Sequence, residues 1–542
     1  MTTSQAKPSL PHVVALGGGF GSMYLYKTLS RMARRKKIRL TVIDRNNYNC
    51  FHGLVPEMLT GKISPNSLLN PLRSVFREAQ FRNGTIEKID LDKKEVLFSR
   101  GLDGKQFQVT FDHLFLNLGS VENFSLFPGI REHTLRLKSY PDILQARHHL
   151  IMMLELADIE EDPVEVERLL NFVVAGGNYA GVEVSSELAD FLPRVARKRF
   201  PNIPVDKIRV TLIHSGDRIL PELGNQFPKL RAYAERLVMG NPHIRLMTKT
   251  RLASATQEEA VLNTGERLPS RSIISCTGTI PSPLLGTLPF ERDRSGRIIT
   301  DEFCRAKGSE FVWASGDCAA VPRSDGTYCP PLAIWAITTG RQAAINIKAT
   351  LTGRRLKPYR FNGLGDACTL GNWRAAAHVK GIPLYGLAGY LSWRGFVLAY
   401  LPVWEKKVRL LFDWLVAPIF GRDLINMNVH RSVGVTPVMF EPGQDIVREG
   451  DVGQSLYIIR TGEVEVFKRA ENGGPPDLQG TLQAGDHFGE VAVFQGVRRT
   501  ATVRAKTRVE LLHVMREAAL ALSDSSPFIA ERLSASPADS SD

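Results

Sequence analysis

Two short glycine-bearing segments have the spacing that lets a backbone hold a diphosphate. Gly17-Gly18-Gly19-Phe20-Gly21-Ser22 follows the apolar run HVVAL, and Gly176-Gly177-Asn178-Tyr179-Ala180-Gly181 follows NFVVA. In a G-x-G-x-x-G loop the first glycine permits a tight turn, the second lets the backbone approach a pyrophosphate, and the third lets helix pack on strand. The free N–H groups at the start of the following helix then face the phosphates. Ser22 takes the third place of the first loop and is small enough for it. Asn178 takes the middle place of the second, where its side chain crowds the phosphate unless the residue goes left-handed and turns away. RLTVIDR, the next strand of the first unit, ends on Asp44, placed to accept from a ribose hydroxyl. The second unit has His214-Ser215 there, so no carboxylate reaches a 2′-OH, and nearby Arg218 would suit a 2′-phosphate. Gly17, Gly19, Phe20, Gly21, Ser22 and Asp44 are thus candidate contacts for one dinucleotide, and Gly176, Gly177 and Gly181 for another.

The elements needed to position these loops are legible. MYLYKTLSRMA has helical spacing after the first loop, and NYAGVEVSSELADFLPRVA after the second, with IRVTLIHS as the strand beyond it. Each unit is a β-α-β of the size the fingerprint demands. FDHLFLNLGS lies between the two, and TDEFCRAKGSEFVWASGDCA returns later as a strand leading to a Gly-Asp turn. That order implies one nucleotide domain inserted within another. The cysteines (Cys50, Cys276, Cys304, Cys318, Cys329, Cys368) are scattered without a C-x-x-C pair, which disfavours zinc and thioredoxin-type chemistry, and no metal site is expected. Met1 to Pro11 has no apolar core, which argues against a secretory signal, and no apolar run approaches the length of about 18 residues that a spanning helix needs.

Charge and texture change along the chain. The net charge is +13; from Arg431 onward there are 12 Lys and Arg against 16 Asp and Glu, leaving 57 against 40 ahead of it. A basic front could meet nucleic acid or an anionic membrane face. The stretch 385–420 favours the membrane and no nucleic acid. It holds Trp393, Trp404 and Trp414, with Pro402 splitting it into two helical pieces. In the second piece Val408, Leu411, Phe412 and Leu415 fall on one face while Lys406, Lys407, Arg409 and Asp413 fall elsewhere, as in a helix lying in the headgroup plane. The alternatives are a helix packed on its own domain or a homodimer interface. Beyond Arg431, short alternating runs such as SLYIIRTGEVEVFKR broken by glycines have the texture of a β-roll.

Taken together and in order, VVALGGGFGS, TVIDRNNYN, LKSYPDILQARHHL, VVAGGNYAGVEVSSEL, RILPEL, FVWASGDCAAVP and PPLAIWAITTGRQAAINI resemble the type II, non-pumping NADH:quinone oxidoreductases. The resemblance implies an α/β chain with two nested Rossmann-type domains, FAD in the first and NADH or NADPH in the second. It implies that Asp317 binds the FAD ribityl chain, that Gly119 and Ala333 also line the cofactor, and that Glu183 is the acid beside the nicotinamide and flavin rings. It implies peripheral, monotopic attachment to the cytoplasmic face of the inner membrane through the segment around 385–420. One departure stands out: where that family has A-Q-x-A-x-Q-Q-G, this chain has Ala333-Ile334-Trp335-Ala336-Ile337-Thr338-Thr339-Gly340. A quinone acceptor therefore rests on the family, and another acceptor stays open.

Gly485-Asp486-His487-Phe488-Gly489-Glu490-Val491-Ala492, followed by Arg498-Arg499-Thr500-Ala501, resembles the phosphate cassette of cyclic-nucleotide-binding domains. A cyclic phosphate needs a cation and N–H donors, and its ribose 2′-OH needs an acceptor. Arg499 supplies the planar fork, Glu490 the acceptor and the short helix starting near Gly489 the N–H groups. Thr500 is placed to meet a purine, which leaves cAMP and cGMP both open. The expected division is an FAD domain over 11–165 and 296–365, an NAD(P) domain over 166–295, a membrane-contact region over 366–430, a cyclic-nucleotide domain over 431–534 and a disordered tail over 535–542. Two functions compete: a dehydrogenase tuned by a cyclic nucleotide, and a flavin- and cyclic-nucleotide-binding sensor whose catalysis has decayed.

Overall fold

A computed structural model describes residues 10–100, 105–224, 226–420, 422, 424–425, 435–470, 474–516 and 518–519. The expected tail, 535–542, lies outside the described residues, as does Arg431. The chain divides into two compact units, the larger built chiefly on residues up to 425 and the smaller chiefly on 435–519.

In the larger unit the first β-α-β is β1 (His12–Leu16), α1 (Phe20–Arg34) and β2 (Arg39–Asp44), followed by the short helix α2 (Val55–Leu59), β3 (Gln80–Asn83) and β4 (His113–Leu116). The long helix α3 (Tyr140–Ile159) leads into the second set: β5 (Asn171–Ala175), α4 (Tyr179–Arg199), β6 (Arg209–Ile213), α5 (Pro228–Met239), β7 (Ile244–Met247) and β8 (Ser272–Ser275). The chain then returns with β9 (Val312–Ala314) and α6 (Ala333–Leu351). The first sheet has the order β9-β4-β1-β2-β3, the second β7-β6-β5-β8, and both are parallel throughout. β9 pairs with β4 (Val312 opposite Leu114), so the second sheet is inserted between strands of the first. The expected nesting is present.

The reason these runs form central strands is their burial on both faces. Val13, Val14, Ala15 and Leu16 are fully buried, as are Phe172, Val173 and Val174, and a parallel sheet covered by helices on both faces needs continuous apolar runs. Helix starts follow local chemistry. Ser139 caps α3 by accepting from the Asp142 N–H, with Pro141 in the first turn. Gly19 starts α1 and Leu332 starts α6 with no side-chain cap, so both ends keep their N–H groups free of side chains.

After α6 come the antiparallel strands β10 (Ala367–Thr369), β11 (Ala375–Val379) and β12 (Ile382–Tyr385), then α7 (Gly386–Tyr400) and α8 (Trp404–Phe420). The break at Pro402 divides the two helices as expected. Their inner faces are pinned to the larger unit. Arg394 pairs with Glu57 of α2 at 2.8 Å, and Trp414 Nε1 donates to the same carboxylate at 3.0 Å. Asp413 accepts from Ser64 N at 2.9 Å and Ser67 Oγ at 2.7 Å, and Lys406 Nζ donates to the Asn66 carbonyl at 2.6 Å. The outer face is apolar and open: Trp404 is 76% exposed, Phe412 64% and Ile419 75%, with Val408, Leu411 and Leu415 also exposed. Among the described residues no helix is long and apolar enough to cross a membrane.

The smaller unit is two antiparallel four-stranded sheets. One joins β13 (Val435–Phe440), β15 (Ser455–Thr461), β18 (His487–Phe488) and β20 (Val509–Met515); the other joins β14 (Asp445–Val447), β16 (Val464–Lys468), β17 (Asp477–Leu482) and β19 (Thr502–Ala505). Their core is Val438, Phe440, Ile459, Val464 and Leu511, and the one-turn helix α9 (Glu490–Gln495) is entered through Gly489 at φ +88°.

Candidate functional site

The first loop is built at very close quarters. A Cβ on Gly17 would stand 2.2 Å from the Asn117 carbonyl, and one on Gly21 would stand 2.3 Å from Ser315 Oγ and 2.6 Å from Asn117 Oδ1. Gly340 of α6 would meet the Gly21 carbonyl at 2.3 Å, so α1 and α6 cross where only two glycines allow it. Ser22 donates back to the Gly17 carbonyl and accepts from Asn117 Nδ2 at 3.1 Å. Asp44 accepts from Gly18 N at 2.6 Å and Asn46 N at 2.7 Å; burial lifts its carboxyl above the usual range, against those two bonds. Each carboxylate oxygen keeps a lone pair beyond the backbone bond, so Asp44 still has an acceptor for a ribose. Phe20 packs edge-on against Phe51, with ring centres 5.5 Å apart.

The groups around this loop fit FAD. Gly119, at φ +65°, faces open space with nothing within 4 Å of where a side chain would begin. Beside it Ser120 Oγ donates to Asp317 at 2.8 Å and accepts from Lys138 Nζ at 2.9 Å, and Lys138 also stands 3.8 Å from the Asp317 carboxylate. Ala333 opens α6, whose uncapped N–H groups suit a phosphate or an electron-rich ring edge.

The second loop differs in kind. Asn178 is not left-handed: at φ −78° it is extended, and its side chain folds back onto α4. Its Oδ1 accepts from Gly181 N at 3.0 Å and its Nδ2 donates to the Cys276 carbonyl at 2.8 Å, so it caps the helix instead of crowding the loop. Gly181 lies hard against the turn, since a Cβ there would be 1.7 Å from the Gly176 carbonyl. Gly177 N donates to His214 Nδ1 at 3.3 Å. Burial pushes the His214 imidazole below its ordinary pKa, so it is neutral, with its one acceptor nitrogen engaged and only a donor left. Arg218 is not free for a 2′-phosphate; its fork holds Glu235 through contacts of 2.6 to 3.2 Å.

The second loop, through Asn178 and Ala180, opens on a cavity of about 310 Å³ whose lining also includes His52, Lys138, Glu183, Cys276 and Thr277. Glu183 is on the first turns of α4 and is 8% exposed. Thr369, in β10, donates to its Oε1 from both the backbone N (2.9 Å) and Oγ1 (3.1 Å). Burial outweighs those bonds and pushes the carboxyl up to about 8, so at neutral pH it holds a proton at the wall of the cavity. Thr369, Lys138 and Asn117 were not singled out by sequence. Lys138 stands in the LKSYPDILQARHHL run, but nothing local marks Thr369, which is brought to Glu183 from 186 residues away.

In the smaller unit Arg499 is 6% exposed and donates to the carbonyls of Gly489 (2.9 Å) and Ser455 (2.6 Å). Glu490 is equally buried, and its Oε2 has no partner. A cation whose hydrogen bonds go to neutral oxygens, two carbonyls and the Ser455 hydroxyl, and an orphaned carboxylate oxygen fit an anion that also carries a hydroxyl. A Cβ on Gly489 would strike Arg499 Nη1 at 2.2 Å. Thr500, the next residue, is exposed.

Residues 11–340 match the family model described as pyridine nucleotide-disulphide oxidoreductase, and residues 437–526 that of the cyclic nucleotide-binding domain. The chain belongs to the pyridine nucleotide-disulphide oxidoreductase family. It is an FAD- and NAD(P)H-linked oxidoreductase carrying a cyclic nucleotide-binding domain. It is 28% identical to a probable NADH dehydrogenase of Dictyostelium discoideum, over 76% of this chain and 90% of that one. It is 26% identical to a demethylphylloquinone reductase of Synechocystis, over 76% and 96%. Its fold matches that of NDH2 from Plasmodium falciparum, solved with NADH, with a TM-score of 0.70 at 17% identity, covering 77% of this chain and all of that one.

All six cysteines are free and buried, and burial pushes the Cys50 and Cys276 thiols up to about 12, so neither stands as a thiolate. On α6, at the positions where the resembled type II enzymes have glutamines, the side chains turn inward. Ile334 and Thr339 are buried, Thr339 Oγ1 bonds the Trp335 carbonyl at 2.6 Å, and Thr338 Oγ1 shares a 2.8 Å bond with the Tyr359 hydroxyl. Both hydroxyls are satisfied within the protein, so neither is left for an acceptor.

Proposed function

We propose that this oxidoreductase is a membrane-attached, non-pumping NAD(P)H dehydrogenase that delivers electrons to a quinone and is tuned by a cyclic nucleotide. The observation that carries the reading is the cavity beside the second loop, walled by the protonated Glu183 and by Lys138, which bonds Ser120 and stands 3.8 Å from Asp317 of the first unit. FAD bound at the first loop would accept a hydride from a nicotinamide nucleotide at the second and pass two electrons on. The chain's own part is to hold the two cofactors across that cavity, with Gly17, Gly19, Phe20, Gly21, Ser22, Asp44, Gly119, Asp317 and Ala333 toward FAD and Gly176, Gly177 and Gly181 toward the nicotinamide nucleotide. Glu183, buried and carrying a proton at pH 7, is the group able to give one up within the cavity. The names of the relatives, which include an NADH dehydrogenase and a quinone reductase, support this donor and this acceptor class. In this reading FAD belongs to 11–165 and 296–365 and the nicotinamide nucleotide to 166–295.

The outer face of α8, with Trp404, Phe412 and Ile419 exposed and the inner face pinned by Lys406, Asp413 and Trp414, supports peripheral attachment to a lipid surface; the cytoplasmic side is assigned from the resemblance alone. Glu490 and Arg499 support binding of cAMP or cGMP, with Gly489 and Thr500 at the edges of the same pocket. Control of turnover by that ligand requires different affinities for two states of the protein. Anaerobic mixing of the flavin-loaded protein with NADH or NADPH tests the whole. Rapid bleaching of the oxidised flavin band by one donor, with turnover on added quinone altered by cAMP or cGMP, is expected. No bleaching with either donor would leave a flavin- and cyclic-nucleotide-binding sensor. Bleaching that is indifferent to both cyclic nucleotides would leave the dehydrogenase and remove the control.

A further inference from the structure

A second cavity, of about 380 Å³, lies in the same nucleotide-binding fold as the second loop but at the other end of its sheet. Its lining comes from the C-terminal half of α4 (Arg194, Arg197), the end of α5 (Arg236), the residues leading into β7 (His243), and the turn between β10 and β11 (Arg374). Dinucleotides bind at the C-terminal ends of parallel strands. This cavity sits where β7 begins, so it is separate from the cavity that Glu183 walls.

Four guanidinium groups converge here against one carboxylate, Asp190. Among the described residues none of the four makes a salt bridge within 4 Å or donates a side-chain hydrogen bond. Arg197 and Arg236 also suit the negative ends of their helices. Arg374 has no such reason to be present. It stands on a tight turn, where Leu370 N donates to its carbonyl at 2.8 Å, and its Nε is buried with no partner. Asp190 Oδ2 is likewise buried without a partner. Pro193, inside α4, lacks the N–H that would bond the Ala189 carbonyl, and both residues line the cavity, which adds one more acceptor to its wall.

Unpaired forks of this number call for more than one negative charge, with planar or tetrahedral oxygens that several guanidinium groups can share. Asp190 and the free carbonyl call for a donor on the same molecule. We propose that this cavity is a binding site for a phosphate-bearing anion, of diphosphate size or larger, that also presents a hydroxyl or amine. An occupant gripping Arg374 would sit one tight turn from Thr369, the residue that holds Glu183.

The probe is inorganic pyrophosphate, titrated calorimetrically into the full-length, flavin-loaded protein with saturating NAD⁺ and cAMP present, so that the other phosphate-binding places are filled. Wild type should bind it, R194A/R197A should weaken it about tenfold or more, and the exposed positions of those two side chains should leave flavin content unchanged. The charge-keeping R194K/R197K should also weaken it, because an ammonium cannot offer the fork. A parallel arm floats the protein with vesicles containing phosphatidic acid. Binding to pyrophosphate identifies a soluble occupant; binding only to the vesicles, lost in R194A/R197A, identifies a lipid headgroup of the same chemistry. Equal affinity in wild type and R194A/R197A, or no binding of either probe, overturns the proposal.

Discussion

The two dinucleotide loops start from nearly the same six-residue pattern and solve the same geometry with opposite chemistry. In the first, the N–H of the second loop residue, Gly18, meets a carboxylate, Asp44, at 2.6 Å; in the second, the matching Gly177 meets a neutral imidazole, His214, at 3.3 Å. In the first, Gly19 leaves the helix N-terminus open; in the second, Asn178 closes part of it with its own side chain. At the third position the first loop tolerates Ser22, whose hydroxyl ties down the Gly17 carbonyl, while the second has no room for any side chain at Gly181. Each substitution is locally self-consistent. The first loop keeps an uncapped helix start and a carboxylate with a lone pair to spare for a ligand. The second holds its own backbone and leaves fewer groups for a ligand that must come and go.

Exchanging the third-position residues gives the largest expected effect. Gly181→Ser places a Cβ 1.7 Å from the Gly176 carbonyl, a backbone atom that moves only if the turn opens. Displacing the second loop by about 1 Å should slow flavin bleaching by NAD(P)H about 100-fold, with flavin content unchanged because the first loop is untouched. The reciprocal Ser22→Gly removes the two hydroxyl bonds to Gly17 and Asn117 and should cost only about 2 kcal/mol in thermal unfolding. Wild-type bleaching by Gly181→Ser would mean the two loops are interchangeable.

Glu183 has no counterpart in the first unit, where the helix carries Tyr24 at the same distance from the loop. Its carboxyl titrates at about 8 in the folded protein against an ordinary value of 4.5. Between those pH values the folded state keeps a proton the unfolded chain has released, so stability falls as pH rises through that window, by at most about 1.4 kcal/mol per unit. Glu183→Gln cannot ionise and escapes this loss. Its unfolding temperature should equal that of wild type at pH 5 and exceed it by roughly 5 °C at pH 8. A constant difference across that range would place Glu183 in a more polar setting than its burial implies.

What the sequence could disclose here divides along the same line. The loops, their strands, the nesting, the break at Pro402 and the Glu490–Arg499 pair are all set by residues near each other in the chain or by period and spacing, and all are where they were expected. The reach of Asn178 back onto Gly181 is also local, yet the residue type alone does not separate a cap from a left-handed turn or a side chain that crowds the phosphate. Thr369 beneath Glu183, Asn117 beneath both Gly17 and Gly21, and Arg374 in the basic cavity come from distant strands and turns. No periodicity records such pairings, because only the folded sheets bring them together.

His214→Asp makes the second loop resemble the first. The carboxylate should accept from Gly177 N as Asp44 does from Gly18 and still offer an acceptor to a ribose 2′-OH. The ratio of kcat/KM for NADH to that for NADPH should rise about tenfold, equivalent to about 1.4 kcal/mol, since a 2′-phosphate meets an added negative charge. An unchanged ratio would show that the ribose does not reach the end of β6.

The smallest effect expected separates two accounts of Asn178. As a cap, it satisfies Gly181 N and the Cys276 carbonyl, so Asn178→Ala should lose about 1 kcal/mol of stability while Asn178→Gly loses only a few tenths. As an obstacle, it would hold the pyrophosphate away, and Asn178→Gly would then lower the KM for NADH severalfold by restoring the middle glycine of the fingerprint. Its extended backbone and its two hydrogen bonds favour the cap. The KM of Asn178→Gly should therefore stay within about twofold of wild type, since the side chain already lies away from the ligand's path and its removal frees only one N–H.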